Sequence, residues 1–372
     1  MNPKQLFIRL ISWRIFLTLI AAIGLALFPF GDRFPYRESL LEPYGHPLFW
    51  SWANFDGVHY LSIAREGYFA QFTQAFFPLY PMTIRYLNFL FNNHLASGLF
   101  ISHASFFLCL YFLYKLVALD YPASTAAKTI LVLALFPTSF YFASFYSESL
   151  FLLLVVTSFY ALRRRRQGLS LVLAALASAT RIVGIFLIPA LIYEKYRELP
   201  KKERARPWHY LPLLLPALGM LAYMAYLYHN FNDPLYFLHA QSSFGGGRSD
   251  KIILLYQVIY RYFKMAVTVD RSSLLYFTIS QEFIASIAFL LLLIRGFFTT
   301  RRSYIIFSAL AFLAPTLTGT FSSMPRYVLV LFPAFIVLAQ TKNKLLFRFW
   351  LLVSVILLAI NTILFTRGYW VA

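Results

Sequence analysis

Long apolar runs separated by short polar segments make up most of the chain. Many runs approach the roughly 20 residues that an α-helix needs to cross a bilayer, and charged residues cluster between the runs instead of recurring at the period of a half-buried helix or strand. This pattern predicts an all-α protein that crosses a membrane many times. About eleven membrane helices are expected, at residues 15–30, 99–119, 126–145, 149–162, 168–180, 182–193, 210–228, 276–294, 304–320, 327–338 and 349–365.

The composition supports a membrane protein. Of the 372 residues, 60% are hydrophobic and only 13% are charged, which is not the composition of a soluble domain. The net charge of +19 could indicate a nucleic-acid-binding protein, but the lysines and arginines lie in the short segments between apolar runs, where they set membrane topology. We therefore expect membrane lipid, and no nucleic acid, as a partner.

The basic clusters predict how the chain is oriented. They lie at residues 4–14, 163–166, 195–206, 295–302 and 342–348, and short segments of this kind stay on the cytoplasmic side. The N-terminus is then cytoplasmic and the C-terminus lies outside. We expect one domain over residues 1–372, in the plasma (inner) membrane of a prokaryote.

The first apolar run superficially resembles a signal peptide, because Lys4, Arg9 and Arg14 precede it. It ends in the bulky residues 28–30 rather than in a small-residue cleavage site. We therefore expect an uncleaved first span.

A short apolar stretch between two basic clusters predicts a helical hairpin. The stretch has roughly the length of one ordinary helix, yet both of its flanks should stay on the cytoplasmic side. Two short segments at residues 168–180 and 182–193, with Arg181 at the turn, resolve the conflict. Such a hairpin must pack in protein or line a polar cavity. Arg181 is then a cation at membrane level and a candidate functional residue.

Two long segments are expected on the outer side, at residues 31–96 and 229–275. The first is rich in aromatic residues suited to a membrane interface and should form short interfacial helices. The second contains the run Gly245-Gly246-Gly247-Arg248. We interpret this run as a mobile loop rather than a phosphate cradle, because no strand-to-helix context surrounds the glycines.

The first outer segment places Asp56 at the start of a short predicted helix, residues 57–66, which Gly67 ends. Asp56 could simply be the N-cap of this helix. Capping does not exclude catalysis, because it fixes a carboxylate just outside the membrane, where a reacting hydroxyl could meet it. Asp56 is therefore a candidate catalytic residue.

Few other polar residues are expected at the outer ends of the spans: Ser147, Glu148, Arg181 and Arg326. Either arginine alone could be an interfacial residue that snorkels to water. Two arginines and two carboxylates on one face are harder to explain in this way, since each is costly near lipid without a partner or a cavity. The group predicts a functional site.

Five segments carry a resemblance to a known family. They are FDGVHY at 55–60, FFPLYP at 76–81, YSESLF at 146–151, TRIVG at 180–184 and PRY at 325–327. In this order and spacing they resemble the GPI mannosyltransferase II (PIG-V) family in its short prokaryotic form. The resemblance implies a GT-C-like helical bundle, an inverting mechanism, and a donor in which mannose is carried on polyprenyl or dolichyl phosphate. It also implies Asp56 as the base.

The matching segments make further residues candidates for supporting the reaction or binding the acceptor: His59, Tyr60, Tyr80, Ser147 and Glu148. The family usually has Trp where this chain has Phe55, and commonly an aromatic residue where it has His59. The donor sugar and the acceptor therefore stay open, and the acceptor could be a lipid, glycan or protein hydroxyl.

The chemistry of transfer agrees with these residues. An inverting transfer needs one carboxylate to take the proton of the acceptor hydroxyl. The leaving phosphate needs cations rather than an acid, and Arg181 and Arg326 could supply them. We expect no cofactor and no metal, because the sequence shows neither a soluble nucleotide domain nor a metal-ligand motif. The single cysteine, Cys109, has no partner for a disulfide or metal site.

Two other functions stay open, a transporter and a glycan ligase. A lipid or solute transporter, such as a flippase, would share the composition and the hairpin, but it should place ionisable residues near the middle of its spans. A membrane glycan ligase would also use outer-side arginines and a lipid-linked donor, but it would not require the early acidic segment. A structural scaffold would leave the polar residues unexplained.

The predicted orientation can be tested by cysteine labelling from each side. A cysteine in place of Lys201 should react only with a reagent supplied from the cytoplasmic side, because both clusters that flank the hairpin are expected there. A cysteine in place of Asn230, in the second outer segment, is the control and should react only from outside. Labelling of position 201 from outside alone would contradict the topology downstream of the hairpin.

Overall fold

The computed structural model describes residues 3–31, 36–241, 247–249 and 251–371, and every regular element in these ranges is helical. Gly245 and Gly246 lie outside the described residues. The helices of eight or more residues are α1 (Pro3–Leu27), α2 (Asp56–Glu66), α3 (Leu79–Phe91), α4 (His94–Val117), α5 (Ala123–Ala134), α6 (Glu148–Arg163), α7 (Gln167–Thr180), α8 (Leu187–Glu198), α9 (Ala217–Phe231), α10 (Leu255–Thr268), α11 (Leu274–Thr299), α12 (Arg302–Thr316), α13 (Phe332–Ala339) and α14 (Lys344–Thr366). Shorter helical turns lie at Arg37–Leu41, Glu42–Tyr44, Pro47–Trp50, Ser51–Ala53, Thr73–Ala75, Ser139–Ala143, Ile182–Phe186, Pro207–His209, Leu211–Leu214, Tyr236–His239, Met324–Tyr327 and Val328–Val330.

Among the described residues, four helices are long and apolar enough to cross a membrane: α1, α4, α11 and α14. They confirm the prediction of an all-α integral membrane protein. The helices at the other expected spans are shorter, from the 8 residues of α13 to the 16 residues of α6. The number of about eleven crossings stays a prediction.

The prediction of one continuous span at residues 126–145 is wrong, because α5 ends at Ala134. Pro137 has no N–H with which to continue the helical ladder. Its carbonyl oxygen, freed by the break, accepts a hydrogen bond from Asn361 Nδ2 of α14 at 3.1 Å. A broken helix is tolerated at membrane depth when protein groups satisfy its backbone in this way.

The expected span at residues 327–338 is also broken. A four-residue helix, Met324–Tyr327, carries Arg326, and α13 begins only at Phe332. Pro333 lies in the first turn of α13, where its missing N–H has no partner to lose. Arg326 therefore lies on an irregular connection that leads into the bundle, not on a regular membrane helix.

The predicted hairpin is present and turns at Arg181, whose backbone is extended with φ of −153°. Lys195 Nζ near the end of α8 donates to Gln167 Oε1 at the start of α7 at 3.2 Å, so the two segments run in opposite directions. Gly184 permits the tight return, because a Cβ there would lie 2.5 Å from the backbone of α7. The hairpin thus presents Arg181 at one end of the bundle.

Ion pairs at the opposite end of the bundle tie the basic segments together. Arg301 Nε donates to the buried Glu194 carboxylate at 2.8 Å, and Arg163 donates to Asp120 at 2.6 Å. The segments that follow α6 and α8 and precede α12 therefore share this end. α6 carries Arg163 here and Glu148 at its other end, about 22 Å away at 1.5 Å per residue. The side of the membrane that each end faces stays a prediction.

A buried carboxylate in α11 stabilises the connection between α12 and α13, which carries Arg326. Glu282 accepts hydrogen bonds from the Tyr262 hydroxyl at 2.7 Å and from the Ser323 backbone N–H at 3.2 Å. Ser323 has φ of +65°, a left-handed conformation that a non-glycine residue keeps only when its surroundings hold it. Glu282 therefore stabilises the turn three residues before Arg326.

Removing the Glu282 carboxylate should loosen this turn. In Glu282→Ala, the Ser323 N–H loses its acceptor at a buried site, which costs about 1–3 kcal/mol for a group left unsatisfied, and the Tyr262 hydroxyl keeps only Thr320 Oγ1, at 3.2 Å, as a partner. We expect a clearly lower thermal-unfolding midpoint in detergent, and a smaller loss for Glu282→Gln, whose amide oxygen still accepts. Glu198→Ala, at an exposed position, is the control. A Glu282→Ala protein as stable as wild type would exclude this role.

Candidate active site

A cavity of about 510 Å³ lies at the end of the bundle where α6 begins and the hairpin turns. Its charged lining residues are Asp56, Glu148, Arg181, Arg248 and Arg326. Aromatic side chains form much of the remaining wall: Tyr60, Phe76, Phe77, Tyr146, Tyr327 and Trp370. The structure therefore brings together the two carboxylates and two arginines that the sequence singles out, although Asp56 and Arg326 are 270 residues apart.

Asp56 is not the N-cap of its helix, so that prediction is wrong. α2 begins at Asp56 itself, and the preceding Phe55 makes no side-chain cap. The Asp56 carboxylate instead accepts a hydrogen bond from Arg326 Nη1 at 2.5 Å. Gly67 ends α2 as predicted, with φ of +87° and its N–H bonded to Ile63 O at 2.9 Å.

The segment before Asp56 is clamped on two sides. The Asn54 side chain donates to Phe365 O of α14 at 2.8 Å, and the Tyr146 hydroxyl donates to Asn54 O at 2.7 Å. Phe55, which follows the clamped Asn54, has φ of +59°, which is strained for a residue with a side chain. Such strain persists only where the surroundings over-determine the backbone, and it is common at functional sites. The position of Asp56 is therefore well defined.

Alternating charges connect Asp56, Arg326, Glu148 and Arg181 in one row. Beyond the bond to Asp56, Arg326 Nε lies 3.6 Å from Glu148 Oε1. The same Glu148 oxygen accepts from Arg181 Nη1 at 2.5 Å. Glu148 thus lies between two guanidinium groups, and its side chain is only 3% exposed, against 22% for Asp56. Both carboxylates line the cavity, and Asp56 is the more exposed of the two.

Asp56 and His59 lie in α2, outside the membrane-spanning helices. Burial alone would raise the pKa of the Asp56 carboxyl, but the charge and hydrogen bond of Arg326 outweigh it, helped by His59 and Arg248, and the pKa lies below its ordinary value. Burial lowers the pKa of His59, and Asp56 offsets part of that change. At neutral pH, Asp56 is therefore ionised and can accept a proton.

Of the predicted supporting residues, Tyr60 and Glu148 line the cavity, and His59, Tyr80 and Ser147 lie behind its wall. Tyr60 lines the cavity, and its hydroxyl pairs with Ser147 Oγ at 2.9 Å. Tyr80 packs edge-on against Tyr60, and its hydroxyl bonds to Ser102 Oγ at 3.0 Å, away from the charged row. The His59 ring stacks on Phe76, with ring centroids 5.1 Å apart. The structure brings Ser147, Tyr80 and His59 near the site but not into the cavity lining.

Sequence reasoning missed Arg248 and Trp370. Arg248 donates to the Tyr327 hydroxyl and to Gln241 Oε1, both at 2.5 Å, so it is held at the cavity instead of belonging to a mobile loop. The sequence marks Arg248 only as an isolated arginine in the segment expected to be the second outer one. Trp370 lines the cavity from the last residues of the chain and packs edge-on against Phe55 at 5.3 Å. No motif in the sequence marks it.

Comparisons with known proteins agree with the motifs. The sequence model of the mannosyltransferase (PIG-V) family matches residues 30–263. The human protein GPI alpha-1,6-mannosyltransferase 2 is 28% identical over 214 residues, which are 52% of this chain and 43% of that protein. The chain thus spans less than half the length of this curated relative.

A solved structure also shows similarity. It is the oligosaccharyltransferase of Archaeoglobus fulgidus, crystallised with a tethered acceptor peptide that contains the NVT sequon. The TM-score is 0.43 at 13% identity, over 97% of this chain and 55% of that one. The family match covers well over half of the chain and includes Asp56, Glu148 and Arg181. As the motifs predict, the chain belongs to the mannosyltransferase (PIG-V) family of membrane glycosyltransferases.

Proposed function

We propose that this protein is an inverting mannosyltransferase that moves mannose from a polyprenyl-phosphate donor to an acceptor hydroxyl on the outer face of the membrane. The observation that carries the proposal is the cavity, in which one accessible carboxylate lies beside a row of guanidinium groups. The family supports mannose as the sugar. The acceptor stays open among lipid, glycan and protein hydroxyls.

The charge balance of the cavity suits an anionic donor. Three arginines, Arg181, Arg248 and Arg326, face two carboxylates, Asp56 and Glu148, so the formal charge of the lining is one positive unit. A phosphate that bears a sugar and a lipid is an anion, and guanidinium groups hold phosphate through charge-assisted, often bidentate hydrogen bonds. The excess positive charge therefore favours the donor over a neutral substrate.

Asp56 acts as the base in the proposed reaction. It takes the proton of the acceptor hydroxyl while that oxygen bonds to the anomeric carbon of the sugar. The bond from the anomeric carbon to the phosphate oxygen breaks, and its electron pair leaves with the phosphate. Glu148 is less suited to this task, because two arginines engage it and 3% of its side chain is exposed.

The arginines stabilise the charge that develops on the leaving phosphate. The side chain of Arg181 is 17% exposed and that of Arg326 is 7% exposed. Arg181 is therefore the more direct phosphate ligand of the two. Arg326 lies in the cavity wall, where it adds positive charge near the phosphate and orients Asp56. Arg248, held by Tyr327 and Gln241, supplies a third guanidinium.

The location of the cavity supports an outer-face reaction with a lipid-linked donor. The cavity lies at the end of α6 opposite to the basic segments, which the positive-inside rule assigns to the cytoplasm. Its apolar lining includes Ile182, Val183 and Leu238, beside which an isoprenoid chain could lie. Ionisable residues cluster at this end of the bundle, whereas a transporter should carry them near the middle of its spans.

The direct test is to incubate the purified protein in lipid with labelled polyprenyl-phosphate-mannose. We expect transfer to an acceptor or, without one, slow hydrolysis that releases mannose. Absence of turnover with any polyprenyl-phosphate sugar would favour the transporter instead.

Substitutions of Asp56 distinguish a role of this residue in catalysis from a role in folding. In Asp56→Asn, the proton acceptor is lost while the side-chain shape is kept, and turnover should fall by about 10²–10⁴ without any weakening of donor binding. Asp56→Glu keeps the charge but displaces it by a methylene, so activity should fall partially. Because the pKa of Asp56 in the free protein lies below its ordinary value, wild-type kcat/KM should persist to a more acidic pH than an ordinary aspartate base would allow.

The control for this series is Asp270→Asn, a substitution in the second outer segment where the side chain caps a turn with Ser272. It should leave turnover unchanged. A folded and fully active Asp56→Asn protein would end the assignment of Asp56 as base, and Glu148 would become the next candidate.

Replacing the arginines should weaken donor use. Arg181→Ala and Arg326→Ala each remove charge-assisted contacts worth about 1.5–3 kcal/mol, or roughly ten- to a hundredfold in kcat/KM for the donor. Arg181→Ala should act mainly on donor KM. Arg326→Ala should also lower stability, since it leaves two carboxylates without their shared cation.

Arg271→Ala, at an exposed position of the second outer segment, is the matched control for loss of one charge. If the Arg181 and Arg326 variants express normally and keep donor affinity and turnover, the phosphate role is wrong, and both side chains serve the fold alone.

A further inference from the structure

A second cavity lies at the opposite end of the bundle from the active site. It has a volume of about 520 Å³ and forms a groove over α6, between α4 and α7. Side chains of α4, α6, α7 and the turn between α6 and α7 line it, and three of them are cations: Lys115, Arg164 and Arg166. Apart from the three cations, most of these side chains are apolar.

The inner part of the groove suits a hydrocarbon chain. Leu108, Phe112 and Lys115 share one face of α4, and the first and last of them are about 10 Å apart along the helix. The Thr157 hydroxyl donates to Leu153 O within its own helix at 2.5 Å, so it requires no further partner in the groove. Leu169 is 48% exposed, which shows that the groove is open along its flank.

Three cations border the groove where it reaches the end of the bundle. Lys115 is near the end of α4, Arg164 directly follows α6, and Arg166 directly precedes α7. Among the residues that the structure describes, no carboxylate forms an ion pair with any of the three, whereas the neighbouring Arg163 is paired with Asp120 at 2.6 Å. The groove therefore ends in positive charge that the described protein does not neutralise.

We propose that this groove binds an anionic phospholipid of the membrane leaflet at this end, with one acyl chain along α4 and α6 and the phosphate at Lys115, Arg164 and Arg166. Basic pockets between membrane helices on the cytoplasmic side bind anionic headgroups, and guanidinium groups hold phosphate oxygens well. The site is distinct from the active site, because α6 separates Arg164 from Glu148 by about 24 Å.

The bound lipid stabilises the packing of α4, α6 and α7. A ligand that binds only the folded state raises its stability by mass action. The proposal does not depend on the identity of the donor or acceptor.

The test compares phosphatidylglycerol with phosphatidylcholine of the same acyl chains, added to the purified full-length protein in detergent. Binding is followed by native mass spectrometry and by the thermal-unfolding midpoint. For wild type we expect phosphatidylglycerol to bind at least tenfold more tightly and to raise the midpoint. Glycerol phosphate, which lacks the acyl chains, should not reproduce the shift.

The variant Lys115→Gln/Arg164→Gln/Arg166→Gln should lose about a hundredfold in phosphatidylglycerol affinity. The matched control Arg165→Asn/Lys201→Gln/Lys202→Gln removes three exposed cations from the same end but none from the groove, and should keep wild-type binding. Asn is chosen at position 165 because the backbone there has φ of +59°.

A second variant keeps the test decisive if the triple substitution does not fold. Leu169→Trp fills the open flank of the groove and leaves all three cations in place, and it should also weaken phosphatidylglycerol binding. Equal binding of the two lipids to wild type, equal loss in the groove variant and its control, or undiminished binding to Leu169→Trp would each overturn the proposal.

Discussion

The guanidinium of Arg326 is the interaction on which the rest of the site depends. Two carboxylates are placed at the end of an apolar bundle, where an unpaired buried charge costs several kcal/mol. Arg326 lies between them, 2.5 Å from Asp56 and 3.6 Å from Glu148. This one side chain ties the first outer segment to the start of α6 and to the connection before α13. The elements around it have little freedom to move separately.

Broken helices are the means by which the chain places these charges. Regular helices expose side chains along their length, but the site needs polar groups that converge at one end. Arg181 lies at the hairpin turn, Glu148 begins α6, and Arg326 lies on a four-residue helix between α12 and α13. Each break frees backbone groups that lipid cannot satisfy. Side chains such as Asn361 and Glu282 satisfy some of them, which explains polar residues within apolar helices.

The sequence predicts the membrane class, the hairpin and the residue types of the site, because charge and hydropathy act locally. It does not predict which charges pair, since the contact between Asp56 and Arg326 depends on packing across most of the chain. Hydropathy also misses the break at Pro137, whose flanks are as apolar as a continuous span. Arg248 is not predicted for a related reason. Its position at the cavity depends on its partners Tyr327 and Gln241, and the glycine-rich sequence around it gives no sign of them.

The ion pair between Asp56 and Arg326 has a consequence for the order of events under the proposed function. While the pair is intact, Arg326 holds the pKa of Asp56 below its ordinary value, which makes the carboxylate ionised but a weak base. An anionic phosphate in the cavity would share the guanidinium and weaken its hold on Asp56. The pKa of Asp56 would then rise, and with it the driving force for taking a proton. Asp56 would become an effective base only once the donor is bound, when an acceptor hydroxyl has a sugar to attack.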